Sequence, residues 1–343
     1  MYIVIDTRIG LGDALVYAML ANSLAKAGYR VVVISKYLHH FAHLIKSYRV
    51  LLPEGNDCAE ACYQSDVILT TQSQDIHHQD KTVLIGIDHK CTASWLPSKN
   101  HPFSPCHGQN LCRKYHQCTS MPQLWQNFLD DTIGGNLIVS TGIKWPQSWL
   151  HHKYSKRVLL APYYSGSHLG EVHRSWALAR WHQLAQRCLE DGFEVIWLMT
   201  DAEKSITPSI ILNQYTVLTP SLMSSAQLMY ESAVLVGACS GSSWLASSAK
   251  LPTVNLYYVH AKNKRRKLLW QKCFSKHKVI SQQISPLLRW VMSLLAKVVF
   301  RLTSQHSLYF GQLKPSVGEV FNEVKSLLQD KQEKYTTNDY LTE

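Results

Sequence analysis

Three short stretches carry residue types that could do chemistry at a strand-to-helix turn. The first is Gly10-Leu11-Gly12-Asp13. Its glycines let the backbone turn tightly and a ligand approach closely, and a helix starting there offers free N–H groups and the positive end of its dipole. Asp13 is either a carboxylate on the floor of a ligand site or the acid that helix N-termini favour. As a dinucleotide fingerprint the stretch fails. GxGxxG is absent, and the second apolar run ends in Ile34-Ser35-Lys36 with no acid for a ribose. The second stretch is Tyr163-Tyr164-Ser165-Gly166-Ser167, with Arg174-Ser175-Trp176 behind it; the third runs from Val236 through Ser240, Gly241 and Ser242 to Ser243. Small residues at such turns form an anion nest, and an arginine adds a bidentate grip on phosphate. Each alone is ordinary Ser/Gly loop chemistry. Together they read as a site for a nucleotide diphosphate.

The surrounding pattern dictates the elements that must hold these turns. Tyr2 to Asp6, Val31 to Ile34, Val67 to Thr70 and Val83 to Ile87 are short apolar runs, and a helical pattern spans Asp13 to Ala27. The pattern restarts with strands at Arg157 to Ala161, Phe193 to Leu198, Val234 to Gly237 and Thr253 to Tyr257. Helices fall at Trp176 to Leu189, Leu222 to Glu231 and Ser243 to Ala249. Short apolar runs alternating with helices are the signature of parallel sheets covered on both faces. Two successive α/β halves result, 1–150 and 151–343, joined through a Pro/Cys/His-rich connection. Ligands of such sheets bind at strand C-termini, here expected in the cleft between the halves.

Charge narrows the partners. The 343 residues hold 35 Lys and Arg against 24 Asp and Glu, a net +11. From Ser232 to Gly318 there are 13 basic residues and no acid, so the rest of the chain holds 22 basic against 24 acidic side chains. The whole excess is local. Lys262 to Lys267 form a cationic patch, and Arg289, Ser293, Lys297 and Arg301 form a polar stripe on an otherwise apolar helical pattern. That suits a helix lying on an anionic membrane, although a core-covering helix has the same pattern. We expect a membrane surface along Lys262 to Arg301, and no nucleic acid, since no helix-turn-helix or aromatic RNA-binding signature accompanies the patch. No uncharged apolar run is long enough to span a bilayer. The opening residues read as a buried strand, not a leader. Nine cysteines in a chain large enough to need no staples suggest reduced thiols. Cys106, Cys112 and Cys118, with His107 or His116, could in principle ligate a metal, but their spacing is unlike zinc knuckles, and no metal is expected.

The order of these features resembles the lipopolysaccharide heptosyltransferases and their relatives, glycosyltransferase family 9. The resemblance rests on the first strand and Gly10 to Leu15; on Arg174-Ser175-Trp176 followed by Arg180 to Leu184; on Gly192 to Val195; on the Ser240-Gly241 turn; and on Leu251 to Tyr257. The cysteine-bearing block from Pro105 to Cys118 looks like the linker of second-heptose transferases, and Leu313 to Leu328 like the family's closing helix. The resemblance implies a GT-B α/β fold, two Rossmann-like domains facing a central cleft. The acceptor side would be 1–150, and the donor domain 151–343, with an amphipathic basic insertion at about 286–312. It implies inverting, metal-independent and cofactor-free transfer of a sugar from a nucleotide diphosphate, ADP-heptose favoured, to lipopolysaccharide core or a related anionic glycolipid. The setting would be cytoplasmic, peripheral on the inner face of the bacterial inner membrane. On this resemblance Asp13 is the general base beside Gly10 and Gly12. Arg174 takes the family's lysine position, Ser165, Ser240, Gly241 and Ser242 line the diphosphate, and Glu203 holds the ribose. Cys239 and Trp244 stand where the family usually has Asp and His. They leave open a hexose nucleotide donor, or a degenerate, non-catalytic membrane-associated partner.

Overall fold

The computed structural model describes residues 1–7, 10–71, 78–86, 102–118, 120–152, 156–163, 176, 178–238, 240–256, 277–280 and 315–336. The chain divides into two compact units at the Trp145–Pro146 bond.

The first unit contains β1 (Tyr2–Asp6), α1 (Leu11–Lys26), β2 (Arg30–Ile34), α2 (Lys36–His39), β3 (Arg49–Leu51), α3 (Asn56–Gln64), β4 (Val67–Thr70), β5 (Thr82–Gly86), β6 (Gln109–Asn110), α4 (Leu111–Lys114) and α5 (Met121–Thr132). Its six strands are all parallel, in the order β3-β2-β1-β4-β5-β6. Alternate residues settle the two faces, as the pleat requires. Val4, Val32, Ile34, Leu51 and Ile68 pack with Cys58 and Ala61 of α3 in one cluster. Helix α1 is buried all round from Ala14 to Leu24, so its sequence shows no polar stripe. Tyr17 meets Trp125 of α5 edge-on at 5.2 Å and donates to the Ile85 carbonyl at 2.9 Å. The segment after α5 is tied back to the same helix, Ile138 N–H to Ser23 Oγ at 2.9 Å and Asn22 Nδ2 to the Ser140 carbonyl at 3.2 Å. Gly142 is required there. Its φ is +76°, and a Cβ would sit 2.8 Å from Ser47 Oγ and 2.9 Å from Asn22 Oδ1.

The second unit contains β7 (Arg157–Ala161), α6 (Leu178–Glu190), β8 (Glu194–Leu198), α7 (Asp201–Ser205), α8 (Ser209–Gln214), β9 (Thr216–Leu218), α9 (Leu222–Glu231), β10 (Val234–Ala238), α10 (Gly241–Ser248), β11 (Thr253–Leu256), β12 (His277–Ile280) and α11 (Val317–Thr336). These strands too are all parallel, ordered β9-β8-β7-β10-β11-β12. Val158, Leu160, Trp197, Val234, Val236 and Val254 face α6 and α11, whose Trp181, Leu184, Val320, Val324 and Leu327 complete the core. On the opposite face α10 lies close over β10. Ser243 Oγ donates to the Ala238 carbonyl at 2.9 Å, and a Cβ on Gly237 would meet that Oγ at 3.4 Å.

Both sheets therefore follow the doubly wound order, in which strand one lies between strands two and four. Two helix starts lie earlier than the sequence pattern suggested. Helix α1 begins at Leu11 and α10 at Gly241, so Gly12, Asp13 and Ser242 belong to first helical turns, not to loops. The apolar periodicity begins only where a helix turns its side chains inward, so it reports the first turn late. The expected insertion at 286–312 lies outside the described residues, as does the basic stretch from Lys262 to Arg301 apart from β12 at His277–Ile280. No helix among the described residues is long and apolar enough to cross a membrane.

Candidate functional site

In a doubly wound sheet the connections from the two central strands leave in opposite directions, which opens a crevice at their carboxyl ends. The first unit has this switch point between β1 and β4, where Asp6 lies opposite Thr70. Gly10 is the N-cap of α1, with φ −61° and ψ 164° and no side-chain cap. That backbone is open to any residue, so the turn itself does not require glycine at this position. What Gly10 contributes is the missing side chain: a Cβ there would lie 3.7 Å from Asp13 Oδ2. The carboxylate thus folds back over the start of its own helix, at the positive end of the dipole, where a negative charge is favoured. Just after β4, Thr71 is buried and its Oγ1 has no hydrogen-bond partner among the described residues. Thr71 is not among the residues expected from the sequence; its one signal there is a hydroxyl closing an apolar run.

The second unit's switch point lies between β7 and β10. Ser240, the N-cap of α10, has extended backbone with φ −136° and ψ −179°. A capping serine ordinarily turns its oxygen onto the N–H two or three residues on. Here it does not: the side chain makes no cap bond, and Oγ is buried with no partner among the described residues, in a residue only 7% exposed. The Ser240 carbonyl takes the N–H groups of Ser243 and Trp244 at 3.1 and 3.4 Å. The N–H groups of Gly241 and Ser242 precede them in the first turn, whose amides point out of the helix. A hydroxyl and a helix N-terminus thus converge at the switch point, an arrangement that suits an anion. Trp244 of α10 is buried.

Along the same edge, Tyr163 follows β7. Its hydroxyl lies 2.8 Å from Thr207 Oγ1, which donates to the Glu203 carbonyl at 2.8 Å. Burial holds the Tyr163 phenol above its ordinary range, partly offset by the bond to Thr207. Glu203, the residue the family resemblance linked to a ribose, lies in the first turn of α7, just beyond β8. Its Oε2 accepts from the Thr200 N–H at 2.7 Å while Thr200 Oγ1 accepts from the Glu203 N–H at 3.3 Å. This reciprocal pair is a capping box, which engages one carboxylate oxygen in holding the helix start. Ser165, Arg174 and Cys239 lie outside the described residues. Ser240, Gly241 and Ser242 are brought together at one turn; Glu203 stands at a different strand of the same edge. Asp13 stands in the other unit, at the turn after its first strand.

The cysteine block reads differently in three dimensions. Cys106 is fully buried, and its neighbour is Lys114, not another cysteine: Nζ lies 3.3 Å from Sγ. Among the described residues no group of three or more His, Cys, Asp or Glu is gathered as metal ligands. Helix α5 follows this block, in a stretch whose sequence reads as part of the Pro/Cys/His-rich connection.

Two parallel doubly wound units in one chain, each with a furnished switch point, define the class: a GT-B α/β fold. Among solved structures the chain is similar to a glycosyltransferase of family 9 from Veillonella parvula, at 13% identity and a TM-score of 0.58, covering 96% of this chain and 97% of that one. It is similar to the ADP-heptose lipopolysaccharide heptosyltransferase II of E. coli, at 11% identity and 0.61, covering 97% and 100%. It is similar also to the E. coli heptosyltransferase WaaC solved with ADP, at 11% identity and 0.59, covering 95% and 100%. No protein-family model and no curated protein matches the sequence. The likeness is one of fold, carried by strand order and not by side chains.

Proposed function

We propose that the chain is a glycosyltransferase of the family 9 type, moving a sugar from a nucleotide diphosphate donor to lipopolysaccharide core or a related glycolipid. The reading includes inversion at the anomeric carbon, no metal, heptose as the favoured sugar, and a cytoplasmic station on the inner face of the bacterial inner membrane. The observation that carries it is the start of α10, where the buried, unpartnered Ser240 hydroxyl meets unused helix N–H groups. An orphaned buried hydroxyl costs about 1–3 kcal/mol unless something hydrogen-bonds it. A diphosphate would supply that acceptor and place its charge on the helix dipole.

In this mechanism Asp13 takes the proton of the acceptor hydroxyl as it attacks the anomeric carbon. The diphosphate leaves with the pair of electrons of the broken bond. Ser240 Oγ and the Gly241 and Ser242 N–H groups stabilise the charge that develops on it, with Arg174 and Ser165 as further donors. Glu203 keeps one oxygen for the donor ribose. A hexose nucleotide is the second reading, favoured by Trp244, a buried indole where the family has His. The test is a thermal-unfolding panel of nucleotide sugars. A donor at about 100 times its Kd should add about 2.7 kcal/mol to stability. Protection by ADP-heptose and not by hexose nucleotides supports the first reading, the reverse the second, and no protection by any member defeats both.

A further inference from the structure

Cys106 ends a short 3-10 turn, Ser104–Cys106, that packs beside the end of α4 in the first unit. Its thiol is enclosed, yet the group facing it is an amine: Lys114 Nζ lies 3.3 Å from Sγ. The same Nζ lies 2.9 Å from Asp131 Oδ2 on α5, and Tyr115 OH donates to that oxygen at 3.1 Å and lies 3.7 Å from Sγ. Four chemically active groups from three elements thus share one site, away from both switch points. Asp131 is the outlet to solvent, its side chain 46% exposed against 23% for Lys114. Burial opposes the ammonium, but Asp131 and Cys106 outweigh it and hold Lys114 above its usual range; Asp131 is held below its own by Lys114.

Peroxide takes a cysteine sulfur to the sulfenic acid. Here the product has a fixed nucleophilic neighbour. We propose that Lys114 and Cys106 form a reversible covalent Nζ–O–Sγ bridge under peroxide. A first peroxide oxidises the thiol to the sulfenic acid: the S–H and O–O bonds break, an S–O bond forms, and one water leaves. Lys114 then gives up its extra proton, which Asp131 can take and pass to solvent. A second peroxide is reduced to two waters as it accepts one hydrogen from the sulfenic O–H and one from the amine, and the O–N bond closes. Sulfur and nitrogen are each oxidised by two electrons and both peroxides are consumed. A 3.3 Å separation is too long for a direct S–N bond, but one bridging oxygen spans it with a small contraction. The bridge would clamp the 3-10 turn to the end of α4, and added thiol would return it to amine and thiol.

The test treats the full chain with hydrogen peroxide and follows tryptic peptides by mass spectrometry. The expected product joins the peptide ending at Arg113 to the one beginning at Lys114, heavier than their sum by one oxygen less two hydrogens. Cleavage after Lys114 should be lost and dithiothreitol should restore it. Lys114→Arg keeps a cation on Asp131 and should abolish the link, sending Cys106 on to sulfinic acid; Cys106→Ser should abolish it too, leaving Lys114 cleavable. A wild-type Cys106 that stays a thiol, goes to sulfinic acid unlinked, or pairs with Cys112 or Cys118 overturns the proposal. Thermal unfolding of Lys114→Arg checks that its loss of the link is not a loss of fold.

Discussion

The two units share a strand order and are furnished on opposite sides of its switch point. In the first, the turn after the first strand leads into a long buried helix whose opening turn carries an acid, Asp13. In the second, the turn after the fourth strand leads into a short helix whose opening turn carries only hydroxyls and glycine. Shortly after the fourth strand of each comes a buried hydroxyl without a partner among the described residues, Thr71 in one and Ser240 in the other. On the proposed function, one unit would present a proton acceptor and the other an anion receptor. The same backbone geometry serves both, and the side chains at the helix start decide which.

The comparison can be broken at several points. The largest effect is expected at Asp13. Asp13→Asn should lower turnover by about 10²- to 10⁴-fold, the usual worth of a general base, while nucleotide affinity stays within about twofold. Steady-state rates and calorimetry on one preparation would separate the two, and turnover left intact would remove the asymmetry between the units. Next is the packing of α1. Leu20→Ala opens a hole in a helix buried on every side and should cost about 2–5 kcal/mol in urea unfolding. A smaller loss would mean that α1 is less enclosed than its burial indicates.

Ser240→Ala gives an opposite pair of signs. No hydrogen bond is lost on folding, so stability should hold or rise by up to about 1 kcal/mol. ADP affinity should fall about tenfold, roughly 1.4 kcal/mol for one bond to a charged group. Lower stability with unchanged affinity would make Ser240 a structural residue. Glu203→Gln sharpens the same edge: the capping box should lose about 0.5–1 kcal/mol. A matching drop in nucleotide affinity would add a ribose contact to the cap. The smallest effect is the pH response of the Lys114–Asp131 pair. Asp131 is depressed, so its contribution is present above the ordinary carboxylate range and lost as pH falls through its folded value. Lys114 is raised, so its contribution is present below the ordinary lysine range and lost as pH rises through its folded value. Asp131→Asn should therefore flatten the stability profile at both ends, read by thermal unfolding across pH.

How much was legible depended on burial. The strands β1, β2, β4 and β7 stood out because parallel strands covered on both faces read as unbroken apolar runs. Strand β9 did not: Thr216–Leu218 is a three-residue edge with exposed ends, too short to differ from a loop. Helix α5 has its own start signals, a Ser120 cap and Pro122 in the first turn, with Leu124, Trp125 and Phe128 buried at helical spacing. The Pro/Cys/His composition of the residues before it concealed them. Of the site, the turns were legible from glycine and serine, while the state of each side chain was not. Ser240 as an uncapping cap, Glu203 as a capping one and Thr71 as an orphan all depend on which neighbours surround them.

The sequence by itself determined two parallel α/β halves, the placing of Asp13 and Ser240 at helix starts, and the confinement of the net positive charge to one stretch. These are local properties, written in periodicity and composition. Tertiary structure alone decided the strand order, the meeting of Asp6 with Thr70, the fold of the Asp13 carboxylate over Gly10 and the pairing of Lys114 with Cys106. A hydrophobic period tells a residue that it will be buried, but not against what. That choice belongs to contacts between parts of the chain far apart in sequence, and chemistry is done at those contacts.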